Sequence, residues 1–143
     1  MSYEFLDDIA TADVAFKASG STLPEMFRCA AEAVLHVMLP DAGQLMARRR
    51  RTIRVAAQDV EMLLFQFLQE LIFLKDARKL LMRVKDVQID EDRPRVTLQA
   101  RAEGEPIDPR RHQLNVDIKA VTLHQFCVRQ IPDGWEAVVV LDI

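Results

Sequence analysis

An α+β domain is the fold class this sequence predicts: two layers, with two helices packed on a largely antiparallel or mixed sheet of about six to seven strands. Two observations point there. Apolar residues recur at helical spacing in two segments, 23–38 and about 59–75, whereas elsewhere the hydrophobic period is two. The later period-two segments are joined by tight polar turns, which marks hairpins. No internal repeat, low-complexity tract or linker interrupts the 143 residues, so 1–143 reads as one domain.

Tyr3 to Asp8 and Ala12 to Ser19 read as two short strands, the second alternating Ala12, Val14, Phe16 and Ala18 with Asp13, Ala15, Lys17 and Ser19. Thr22-Leu23-Pro24-Glu25 then opens a helix: Thr22 is placed to cap, Glu25 stands three residues on, and Pro24 costs no hydrogen bond in a first turn. Leu23, Met26, Phe27, Ala30, Ala31, Val34, Leu35 and Met38 form its apolar stripe, and Pro40-Asp41-Ala42-Gly43 ends it. Arg51 to Ala57 is a strand. Asp59 caps a second helix whose stripe is Leu64, Phe67, Leu68, Leu71 and Leu74. Phe65, Ile72 and Phe73 fall outside that stripe, so this helix is either central in the fold or meets a partner.

From Leu80 the phase of alternation shifts between Val84 and Val87, which predicts a bulge near Lys85-Asp86. Val96 to Glu103 is a one-sided strand, and residues 104–113 read as a polar loop. A long strand is expected from Leu114 to Val128, with Ile118, Ala120, Thr122, His124 and Phe126 on one face. Pro132-Asp133-Gly134 turns the chain into a last strand, Trp135 to Ile143, apolar on both faces.

That last strand ends in an unusual way. Asp142 and the terminal carboxylate of Ile143 place two negative charges where a doubly buried strand normally carries none. At about 4 Å and an effective dielectric near 20, two such charges repel by about 4 kcal/mol. A cation is expected there, or a frayed end. If the second strand neighbours the last, Asp13 and Asp142 converge on one hard cation such as calcium, magnesium or manganese; isolated aspartates at strand ends otherwise cap turns.

The remaining features exclude more than they assign. A net charge of -3 argues against broad neutralisation of phosphates, though not against a narrow basic patch. No basic, apolar leader begins at Met1, and the apolar-rich stretch from Met62 to Leu74 is broken by Gln66, Gln69 and Glu70, too short and polar to span a membrane. Cys29 and Cys127 read as reduced thiols of a cytosolic protein. No nucleophile elbow, Walker loop, dinucleotide turn or zinc helix occurs. His124 reads as a hydrogen-bonded core residue, His36 and His112 have no evident partner, and Lys119 reads as a solvated lysine or, because it shares a face with Val121, Leu123 and Cys127, as a partly enclosed one. Arg48 to Arg51 reads as a solvated edge that discourages sheet association, or as a contact for phosphate or RNA backbone.

In order along the chain, Tyr3-Glu4-Phe5-Leu6-Asp7, Thr11-Ala12-Asp13-Val14, Thr22-Leu23-Pro24-Glu25-Met26-Phe27, Pro109-Arg110-Arg111-His112, Lys119-Ala120-Val121-Thr122-Leu123-His124 and Gly134 to Ile143 resemble the archease family. The Lys-Ala-Val-Thr-x-His strand and the Leu-Asp-Ile end are the more specific pieces. The resemblance implies a small cytoplasmic protein that is not itself an enzyme. It activates an RtcB-type RNA ligase in tRNA splicing or RNA repair, promoting metal-dependent guanylylation and repeated turnover. It also implies a divalent metal, calcium in the family with magnesium or manganese as alternatives, held by Asp13, Asp142 and Ile143, and a functional role for Lys119. Many members read Asp-His-Thr-Ala-Asp where this chain has Asp7-Asp8-Ile9-Ala10-Thr11-Ala12-Asp13. The histidine is absent, and Asp8 is the residue that can stand in as an oxygen ligand.

The implied partner is therefore the ligase, with no stable direct binding of nucleic acid and no membrane. The alternative reading is a general chaperone-like module that binds proteins through its second helix. A metal-dependent hydrolase ranks last, because the sequence offers only scattered candidates for a general base.

Overall fold

The structure, a computed structural model, describes residues 1–6, 13–92 and 94–143. Along these residues the elements are β1 (Ser2–Leu6), β2 (Asp13–Gly20), α1 (Leu23–Met38), a 3-10 turn (Ala42–Gln44), β3 (Arg49–Ala57), α2 (Val60–Arg78), β4 (Leu80–Asp90), β5 (Val96–Pro106), β6 (Ala120–Ile131) and β7 (Gly134–Asp142). The α+β class holds, with two helices on seven strands. The strands divide between two sheets, ordered β1-β2-β7-β6 and β3-β5-β4, and every pairing is antiparallel.

Both helices begin where side chains satisfy their free N–H groups. Thr22 Oγ1 accepts the Glu25 N–H at 3.3 Å, and Asp59 Oδ1 accepts the Met62 N–H at 2.8 Å. The Glu25 carboxylate differs from a regular capping box. It takes the Ser21 N–H at 2.9 Å and the Ser21 hydroxyl, and these bonds hold its pKa below the usual value. Lys79 ends α2 in the left-handed region, at φ 55°.

The breadth of the apolar surface of α2 follows from its position. It packs against β3, β4 and β5 of one sheet and β6 of the other, and Phe67 stacks on Phe27 of α1 at 5.9 Å. Ile72, outside the expected stripe, is buried, while Phe73 stays 50% exposed. The phase shift expected in β4 is a register shift between Val84 and Asp86. Cys29 and Cys127 are free thiols, and among the described residues no helix is long and apolar enough to cross a membrane.

Two expectations fail between β5 and β7. The polar loop begins later, because β5 runs on to Pro106, and Gly104 explains why: a Cβ there would meet Leu81 O of β4 at 1.8 Å. The long strand from Leu114 does not form either. Residues 112–119 cross between the sheets as irregular chain, and β6 starts only at Ala120. The crossing backbone finds partners outside any ladder, since Asn115 N–H donates to Met38 O at 3.0 Å and Ile118 O accepts from Lys75 Nζ at 2.7 Å.

Within β6 the register shifts between Thr122 and Cys127, where Gln125 adopts φ 54°. This bulge reverses the expected faces. His124 is therefore an exposed bulge residue and not a core histidine.

The crossing segment is anchored by Glu105, 1% exposed. Its carboxylate pairs with the Arg111 guanidinium and accepts the Met46 N–H at 2.6 Å. His112 is buried here as well, contrary to its reading as a partnerless loop residue. Its Nδ1 accepts the Asp108 N–H at 2.9 Å, which makes Nε2 the proton-bearing nitrogen. Nε2 lies 3.2 Å from Glu105 Oε2, off the alignment of a full hydrogen bond. Burial acts to raise the Glu105 pKa, but Arg111, the Met46 N–H and the His112 ring outweigh it and bring the carboxyl to about 2.

A carboxyl with a depressed folded pKa stabilises the fold fully above its unfolded value, about 4.3, and loses that contribution as pH falls through about 2. Chemical denaturation at stepped pH should therefore show wild type losing stability across that window. Glu105→Gln should cost about 3 kcal/mol at pH 7, with the gap to wild type closing as pH falls. A gap that is constant with pH would count against a charged Glu105.

Candidate functional site

The four-stranded sheet brings the two ends of the chain together. β2 and β7 are its central strands, and their register sets Asp13 directly opposite Asp142. Directly opposed residues of an antiparallel pair have Cα atoms about 4.5–5.5 Å apart. The register is fixed from the other face, where Val14, Phe16 and Ala18 pair with Leu141, Val139 and Ala137. Of these, Phe16, Ala18, Ala137, Val139 and Leu141 are completely buried. A one-residue slip of either strand would turn that strand's members away from the core. Packing therefore imposes the carboxylate pair, although like charges opposed across strands are unfavourable.

Asp13, Asp142 and Ile143 are half-buried. Among the described residues neither aspartate side chain takes part in an ion pair. Lys119 joins the same strand end through its backbone, its N–H donating to Asp142 O at 2.8 Å, while Ala120 pairs with Asp142 in the β6–β7 register. Of the two readings of Lys119, the solvated one holds: it is exposed, as is Leu123. Asp8 lies outside the described residues.

Lys75, which the sequence did not single out, holds the approach to Lys119. This lysine of α2 is buried. Its ammonium donates to Asp117 Oδ1 at 2.5 Å and Ile118 O at 2.7 Å, and pairs with Asp76 at 2.9 Å. Burial acts to lower its pKa, but Asp117 and Asp76 outweigh that and hold it above its ordinary value. Six residues earlier in the helix, Gln69 Oε1 accepts the Val121 N–H at 2.7 Å. Two α2 side chains thus fix the backbone on either side of Lys119 and Ala120.

The donor set at this strand end is all oxygen, which suits a hard divalent cation. Among the described residues no group of three or more His, Cys, Asp or Glu side chains has metal-holding geometry. The two carboxylates would therefore need main-chain oxygens, water or a further residue to complete a shell.

Comparison with known proteins follows the same architecture. The Archease protein family (MTH1598/TM1083) matches residues 3–143. Protein archease of Pyrococcus abyssi is 34% identical over 134 residues, 93% of this chain and 94% of that protein. Protein archease of Methanosarcina acetivorans is 35% identical over 142 residues, covering 99% and 95% respectively. The solution structure of Methanobacterium thermoautotrophicum protein 1598 superposes with a TM-score of 0.85 at 34% identity, over 99% of this chain and 98% of that one. A crystal structure from Thermotoga maritima, described as an archease and possible chaperone, shares the fold at a TM-score of 0.60 and 18% identity, over 94% and 93%.

The opposed carboxylates make a direct prediction. In EDTA at low salt, Asp142→Asn should raise stability by up to about 1 kcal/mol, a gain of about 2–4 °C in melting temperature. A lower melting temperature would mean that a compensating positive group already sits at the pair.

Proposed function

This chain belongs to the archease family, and on that footing we propose that it is a non-catalytic cytoplasmic activator of an RtcB-type RNA ligase in tRNA splicing or RNA repair. The observation that carries the proposal is the Asp13–Asp142 pair, imposed by buried packing at the end of two central strands. Asp13, Asp142 and a main-chain oxygen of Ile143 would hold a calcium, magnesium or manganese ion, with Asp8 as the further ligand. A bound divalent ion supplies charge that offsets phosphate as the ligase becomes guanylylated. The chain's own part is to present these oxygens rigidly and to keep Lys119 exposed beside them, on a backbone fixed by Lys75 and Gln69. In this reading the reacting groups belong to the ligase.

A chaperone-like role draws on the exposed Phe73, at 50%, and Leu123, at 61%. The rest of the apolar surface of α2 is consumed by the core, which leaves that reading little contact area.

Guanylylation of the cognate ligase, followed over several rounds of RNA joining, separates the two. Wild type should restore repeated turnover, and Asp13→Ala or Asp142→Ala should reduce that effect at least tenfold. Unchanged turnover on adding wild type would sink the activator role. Suppression of client aggregation that survives both substitutions would favour the chaperone-like one.

A further inference from the structure

Residues 42–58 contain five arginines, Arg48, Arg49, Arg50, Arg51 and Arg54, and no acidic residue, in a chain of net charge -3. β3, which carries four of them, is an edge strand of the three-stranded sheet. All five side chains are exposed. Among the described residues none pairs with a carboxylate. Arg49 and Arg51 fold back onto the carbonyls of Arg48 and Arg50, at 3.2 and 2.9 Å.

Arg50, Thr52 and Arg54 alternate with the buried Ile53 and so face away from the core. Arg101 of β5 lies opposite Thr52 in register. Arg50, Arg51, Thr52, Arg101 and Glu103 line a cleft of about 420 Å³.

We infer that this strand is a contact surface for the phosphate backbone of single-stranded nucleic acid. Guarding an edge against sheet association takes one or two charges. Glu103 stands opposite Arg50 in register, but it is the one acidic group lining the cleft with Arg50, Arg51 and Arg101, so an excess of guanidinium charge remains that a polyanion relieves. The planar forks suit phosphate oxygens in pairs. The strand itself exposes no aromatic or large apolar side chain, the nearest being Met46 ahead of its start, so it lacks both the anchor a protein interface needs at its centre and the platform for base stacking. Binding is accordingly weak, sequence-tolerant and governed by salt, in keeping with the expectation of no stable nucleic-acid complex. This inference is independent of the ligase-activator reading.

Fluorescence anisotropy of a labelled 20-nucleotide single-stranded RNA tests it on the intact chain. At 50 mM salt the dissociation constant should be near 10 µM or weaker, within the nonspecific range of about 10⁻⁴–10⁻⁶ M. Contact with four or five phosphates should give a slope of log affinity against log salt of about -3. Arg50→Gln with Arg54→Gln should lower affinity about tenfold and flatten the slope by about 1.4, at about -0.7 per phosphate. Replacing Arg48 to Arg51 together by Gln should abolish binding, with Arg129→Gln as an unaffected control and unchanged melting temperatures throughout. No binding by wild type, equal binding by the Arg50/Arg54 variant, or displacement of RNA by poly-glutamate as readily as by unlabelled RNA would overturn the proposal. The last result would assign the surface to an acidic protein.

Discussion

The register of β2 against β7 is the constraint from which the rest follows. Phe16, Ala18, Ala137, Val139 and Leu141 are completely buried on one side of this strand pair, so a one-residue slip of either strand would turn that strand's members away from the core. Its consequence at the strand end is the opposition of Asp13 and Asp142, a locally unfavourable pair held by a favourable core. Sites that violate a local rule while the surroundings obey it are where function is expected. Here the violation concerns charge, and the remedy that the chemistry of the pair invites is a cation.

The second helix links this site to the core. It packs on both sheets, and Lys75 and Gln69 reach from it to the chain just before and within β6. A buried ammonium paired with Asp117 and Asp76 and bonded to Ile118 O is a costly arrangement unless each partner is present. It fixes where Lys119 emerges beside Asp142. The arginine-rich edge strand lies in the other sheet, so the chain separates a compact acidic site from a basic face while keeping a net charge of -3.

Much of this was legible in the residues. The capping pairs Thr22/Glu25 and Asp59, the bulge in β4 and the hairpin at Pro132-Asp133 all announce themselves by local chemistry, and local chemistry decided them. The crossing segment departs from its pattern: Leu114, Val116 and Ile118 alternate like a strand, whereas its hydrogen bonds go to Met38 O and Lys75. Tertiary partners outweighed period there. The position of His124 is hidden from the sequence because a bulge at Gln125 changes the phase without any glycine to signal it. Lys75 and Glu105 were invisible for a related reason: a charge in a helix or at a strand end reads as solvated until its partners, 42 and 6 residues away, are known. At the site, Asp13 and Asp142 were identifiable as acids, and their convergence depended on a strand pairing that period alone cannot assign.

The measurement that bears most directly on the account is the melting temperature of the intact chain against calcium, magnesium and manganese, beside a variant carrying Asp13→Asn and Asp142→Asn. If the opposed carboxylates bind a divalent ion, wild type gains stability with the logarithm of ion concentration, about 2.7 kcal/mol at a hundredfold excess over the dissociation constant, and the variant stays flat. A wild type indifferent to all three ions, or a variant that gains as much, would contradict it.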